Sequence, residues 1–84
     1  MIEKNIPEEM IVKPDEELFY IELGQKIKSA RNRLGISQED IANAIGVSVS
    51  FFEKYENGTL AIPVYHFIPL LQYMKFPYEL ENLK

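Results

Sequence analysis

The side chains able to do chemistry in this sequence are few, and their spacing argues against catalysis. His66 is the single histidine, and no second ligand or base stands four residues away. Ser48 and Ser50 have no nearby general base, so helix caps and backbone contacts explain these hydroxyls better than nucleophilic attack. Glu8 and Glu9 are adjacent, as are Glu16 and Glu17; neighbours on a helix point apart, so neither pair forms an acid–base dyad. The absence of cysteine removes disulfides and thiolate metal sites and fits a reducing compartment. No enzymatic activity, metal or cofactor is expected. What remains is the cationic, amide and hydroxyl chemistry of binding.

That chemistry is unevenly distributed. The 84 residues make one domain with a small core, and the net charge of −4 at first argues against a polyanionic partner. The first 22 residues hold seven acids against Lys4 and Lys13, a net of −5. Residues 23–60 hold Lys26, Lys28, Arg31, Arg33 and Lys54 against Glu39, Asp40, Glu53 and Glu56, a net of +1, and residues 61–84 balance. The acidity thus belongs to the first 22 residues, which begin with an N-terminal arm over residues 1–14, and not to the middle of the chain. The opening MIEKNIPEEM is acidic where a secretory signal is basic, and no apolar run approaches the ~18 residues of a membrane span. A soluble, cytoplasmic protein without a membrane partner is expected.

The elements that must position these groups centre on QEDIANAIGVSVSFFEKYENG, Gln38–Gly58. Ile41 and Ile45, four apart, share one face of a helix, and Phe52 and Tyr55 share a face of the next. Gly46 between them can take a left-handed backbone without a Cβ clash, and Ala42 supplies the thin residue that two crossing helices need. Ser37 and Ser48 are the natural N-caps of these helices, and Gly58 ends the second, which runs from Val49 to about Asn57. Asp40 takes the place of the Glu or Gln of a capping box. Upstream, Pro14-Asp15-Glu16-Glu17 is a helix-start signal. Leu23, Ile27, Ala30 and Leu34 then form one stripe of a first helix that stops before Gly35, with a break or bend possible at Gly24. Thr59–Ile62 is a loop with apolar anchors, and Pro63 opens a fourth helix with Phe67, Ile68, Leu71 and Met74 inward. Pro69 predicts a kink or early stop there. Pro77 suits the start of a fifth turn, Tyr78 to Leu83, that packs Leu80 on the body. Residues 1–13 read either as a loosely ordered arm or as one in which Met10-Ile11-Val12 packs as a short strand or clamp on a partner subunit.

The stretch LGQKIKSARNRLGISQEDIANAIGVS, then FFEKYENG, then Pro63 resembles the Cro and phage-repressor (Xre-type) helix-turn-helix family, over residues from about Leu23 to Leu80. The resemblance implies a compact all-α, lambda-repressor-like bundle of four to five short helices. Here this would be domain 15–84 with its core at 37–58, following the N-terminal extension. It implies that helix 49–57 enters the major groove and that its N-terminal residues touch base edges: Val49, Ser50 and Phe51, with Glu53 and Lys54 one turn on. Ser48 joins this set at the cap. Gln38 matches a glutamine that holds a phosphate and braces the recognition helix, at a helix N-terminus whose free N–H groups attract anions. Asn57 and Thr59 match phosphate contacts, and Arg31 and Glu56 match a salt bridge between the first and third helices. Lys26, Lys28 and Arg33 are either backbone contacts or a solvated face.

The departures fall where sequence is read. Val49 and Phe51 offer only apolar contact, such as to a thymine methyl, where bidentate Gln, Arg or Asn would be usual. Phe51 could instead pack inward or meet a protein. Ser50 and Lys54 remain as polar readers. The resulting expectation is a transcriptional regulator, a repressor, that binds double-stranded DNA as a homodimer. Met74–Leu83 is the first candidate for the dimer contact. The alternative is a protein-interaction module or antitoxin that kept the fold, with a protein partner held through the N-terminal arm.

Overall fold

Residues 6–74 are described by the computed structural model. They form four α-helices, α1 (Glu17–Leu34), α2 (Gln38–Ile45), α3 (Val49–Asn57) and α4 (Val64–Tyr73), with 3-10 turns at Glu8–Met10 and Pro14–Glu16 before them. The fifth turn, the seating of Leu80 and the Met74–Leu83 dimer contact fall wholly or largely outside the described residues.

Each helix end is set by local chemistry. The Glu16 N–H bonds to Lys13 O at 2.8 Å, and the Lys13 N–H returns to the Glu16 carboxylate at 3.1 Å, which starts the turn that leads into α1. Ser37 Oγ accepts from Asp40 N at 3.0 Å and Ser48 Oγ accepts from Phe51 N at 3.1 Å, so each hydroxyl satisfies a first-turn donor. Gly46 adopts φ 84°, and the N–H groups of Gly46 and Val47 both reach Ala42 O. This closes α2 and turns the chain into α3 within three residues.

The core lies where α3 packs between α1 and α2, and α4 packs on α2. Ile41, Ala42, Phe52, Tyr55 and Leu70 are fully buried, with Ile27, Ala30, Ile45, Leu60, Ile62 and Met74 around them. Ala42 is fully buried within this cluster, where a larger side chain would have to displace its neighbours. Leu60, Ala61 and Ile62 anchor the loop between α3 and α4.

Several expectations are corrected. α1 runs through Gly24 unbroken. Leu34, the last residue of α1, is 48% exposed rather than buried with its stripe, and with Ile36, Tyr73 and Met74 it lines a shallow groove. α4 continues through Pro69. Proline's φ is helical, and the carbonyl it leaves without a donor belongs to Tyr65, a residue 52% exposed. The inward positions of α4 are Phe67, Leu70, Leu71 and Met74, spaced three, four and seven apart; Ile68 lies off that face and is exposed.

The arm also differs from a loosely ordered tail over residues 6–13. Met10 is 4% exposed and belongs to the core of its own chain, and its carbonyl accepts from Ala61 N at 2.7 Å. Glu9 accepts a hydrogen bond from the Tyr65 hydroxyl at 2.7 Å. Met10 is therefore not available to clamp a partner subunit.

Candidate nucleic-acid interface

The turn at Gly46 directs α3 so that one side faces the body and the other faces solvent. Phe52, Tyr55 and Glu56 are buried, while Ser48, Ser50, Glu53 and Asn57 are exposed. Thr59 follows on the same exposed end, its N–H and hydroxyl both donating to Lys54 O. Lys54 is half-buried along its stem. Ser48 Oγ and Ser50 Oγ lie 3.3 Å apart, so the two hydroxyls form one small polar edge at the start of the helix.

The apolar residues of that first turn behave differently. Val49 and Phe51 are half-buried and pack against the core, and the Phe51 ring meets Tyr55 edge-on with centroids 5.5 Å apart. Each retains an exposed margin. The exposed chemistry of the first turn is thus hydroxyl, with apolar edges beside it.

The far end of α3 is pinned to α1. Arg31 Nε donates to Glu56 Oε2 at 2.6 Å and Nη2 to Glu56 Oε1 at 3.3 Å, and Nη1 donates to Ile36 O at 2.9 Å. Gln38 Nε2 donates to the same Glu56 carboxylate at 2.9 Å. The two charged side chains retain 9% and 2% of their exposure. One carboxylate thereby ties together α1, the first residue of α2 and the last turn of α3. Gln38 braces α3 through this bond while remaining partly exposed at the N-terminus of α2.

The other cations do not converge on one place. Lys26 and Arg33 lie with Glu22, Gln25 and Ser29 along one outer groove of α1. Positions 22, 26, 29 and 33 make one helical stripe, turned away from the Gly24 and Arg31 side that holds α3. Lys28 is exposed nearer that side.

Behind α3, the Tyr55 hydroxyl and His66 Nδ1 are hydrogen-bonded at 2.7 Å, with Met10 Sδ 4.0 Å from the same hydroxyl. Burial pushes the Tyr55 phenol well above its ordinary range, with a smaller contribution from Tyr65. Burial also holds His66 below its ordinary value, so the imidazole is a neutral partner to the phenol. Tyr65 is raised chiefly by its hydrogen bond to Glu9. These contacts fasten the arm, α3 and α4 together.

Among the described residues no group of three or more His, Asp or Glu side chains is placed to hold a metal ion. No helix among them is long and apolar enough to cross a membrane.

With this geometry in place, comparison with known proteins gives the class. A family model described as a helix-turn-helix domain matches residues 22–72. The chain belongs to that family, and the order of its caps, glycine turns and Arg31–Glu56 tie is of the Cro and phage-repressor (Xre) type. A protein of Archaeoglobus fulgidus with the provisional name HTH-type transcriptional regulatory protein is 45% identical over 42 residues, which are 49% of this chain. The matched part is only 14% of that relative's length. Among solved structures, the restriction-modification controller protein C.AhdI from Aeromonas hydrophila superposes with a TM-score of 0.66 at 22% identity. The match covers 69% of this chain and 88% of that one. It is a likeness of fold.

Two features escaped sequence reasoning. The burial of Met10 had no local signal, because its partners are Tyr55 and Ala61, far along the chain. Gly24 did carry one: a glycine inside an otherwise sound helical pattern signals a close approach as readily as a break.

Proposed function

We propose that this protein, a helix-turn-helix DNA-binding regulator, represses transcription by placing α3 in the major groove of double-stranded DNA. The observation that carries the reading is the sidedness of α3. Its inner residues are sealed in the core, its C-terminal turn is held by Arg31 and Gln38 through Glu56, and its outer residues Ser48, Ser50, Glu53 and Asn57 stand in solvent. Base edges are then met by Ser50 and Lys54, with the exposed margins of Val49 and Phe51 suited to thymine methyls and Glu53 to a cytosine amino group. Gln38, Ser48, Asn57 and Thr59 lie where short polar groups and backbone N–H can meet phosphates.

One such module reads a short site, so a two-fold homodimer on a pseudo-palindrome, with half-sites about one helical turn apart, completes the proposal. The test is electrophoretic mobility shift with the DNA flanking the coding region, at two salt concentrations. Binding that falls along a shallow log–log salt line supports the reading, because few cations are present. Binding that ignores salt, or none at low salt, overturns it.

A second reading, a protein-interaction module or antitoxin on the same fold, is favoured by one observation. Leu18, Phe19, Val64 and Ile68 are exposed apolar side chains. The same salt titration separates the two.

A further inference from the structure

We propose that Gly24 is a positioning residue for DNA reading, setting how far the recognition helix stands from the body. The inference rests on the DNA-binding reading above and adds a residue on a different helix to it. Gly24 is buried in the middle of α1, where glycine costs roughly 1 kcal/mol relative to alanine. Something must require it. A Cβ at Gly24 would lie 2.6 Å from Tyr55 O and 2.8 Å from the Glu56 carbonyl carbon, and closer still to Glu56 O. Backbone cannot swing aside as a side chain can, so the carbonyl end of α3 rests directly on the backbone of α1.

The contact is reciprocal. Gly58, the residue that ends α3 at φ 78°, would with a Cβ meet Ile21 Cα at 2.6 Å and Ile21 N at 2.8 Å. Ile21, Gly24 and Arg31 fall three and ten residues apart, on one side of α1, over about 15 Å of helix. They receive Gly58, the Tyr55 and Glu56 carbonyls, and the Glu56 carboxylate respectively. The last turn of α3 is thus seated at three points, two of them backbone against backbone. The ion pair could follow a small displacement of α3 by side-chain rotation. The glycine contacts cannot. They fix the height of α3 above α1, and with it where Lys54 stands beside the seat and Ser50 at the other end of a nine-residue helix.

The test compares Gly24→Ala with two controls that lower stability without touching this seat. Leu70→Ala opens a cavity under α4, and Gly35→Ala strains a left-handed residue with nothing near its Cβ. The probe is a duplex selected by the wild-type chain from a random-sequence pool, against a scrambled duplex, at a temperature where each melt shows a folded protein. A variant unfolded in buffer is refolded in trimethylamine N-oxide, with the wild type titrated under the same conditions. Gly24→Ala is expected to lower the ratio of selected to scrambled affinity about 10-fold or more, the scale of a lost base contact. Its salt slope should be unchanged, and both controls should keep the ratio. Selective binding by the wild type with an unchanged ratio in Gly24→Ala overturns the inference and leaves the DNA reading standing. An equal fall in all three variants overturns it as well. A wild-type chain that selects no duplex overturns the DNA reading and this inference with it.

Discussion

Replacing Glu56 with alanine removes the acceptor shared by α1, α2 and α3. In the folded chain the Arg31 guanidinium, 9% exposed, then keeps only Ile36 O as a partner, and the Gln38 amide loses its acceptor. Leaving one member of a buried ion pair behind typically costs ~3–5 kcal/mol, because an uncompensated charge stays in a poorly hydrated site. Stabilities of roughly 0.05–0.15 kcal/mol per residue give a chain of this size only about 4–13 kcal/mol in all. The loss is therefore a large share of the total. At about 4–8 °C per kcal/mol for a domain of this length, Tm falls by roughly 12–40 °C. Far-UV circular dichroism against temperature and urea reads this directly. The double variant Arg31→Met with Glu56→Leu serves as the control, since replacing both charges with packed apolar groups is often close to neutral. A Glu56→Ala protein within about 1 kcal/mol of the parent, the range of exposed pairs, would refute the assigned role of the carboxylate.

Three further outcomes are expected. Ser50→Ala combined with Lys54→Ala should weaken duplex binding about 10-fold or more with helicity intact, the scale of one or two lost base contacts; a folded double variant that binds like the parent removes the assigned face. Met10→Ala should cost ~2–5 kcal/mol, as truncation of buried methionine usually does, so an unshifted urea midpoint would show that the arm does not hold the core. His66 is depressed by burial, so the unfolded chain takes up its proton first as pH falls through 6.5. Stability from this residue is full above pH 6.5 and declines below it until the folded value is reached, and His66→Gln should flatten that part of a stability–pH curve. A parent curve with no fall in that window counts against the half-buried Tyr55–His66 contact.

The parts of the fold written in local chemistry could be read from the residues. Ser37, Ser48, Gly35, Gly46 and Gly58 act on their own turns, so the end of α1 and both ends of α2 and α3 follow from sequence alone. Tertiary choices could not. Met10 is core because Tyr55 and Ala61 arrive beside it, not because of its neighbours. Leu70 and Ile68 are equally apolar, and only the direction from which α2 approaches selects one of them for burial. Pro69 breaks a helix in isolation, whereas here packing on both sides of it keeps α4 whole. At the candidate site, Ser48 and Ser50 were legible as cap and exposed neighbour. The half-burial of Phe51 depends on the Tyr55 ring, four residues on in the sequence and turned inward by the core.

Amide chemical-shift mapping of the whole chain with a selected duplex would show whether the exposed side of α3 meets DNA. Shifts are expected to concentrate at Gln38, Ser48–Phe51, Glu53, Lys54 and Asn57–Thr59, while Phe19, Val64 and Ile68 stay unmoved. Shifts gathered instead on that apolar surface, with α3 silent, would contradict DNA binding by α3.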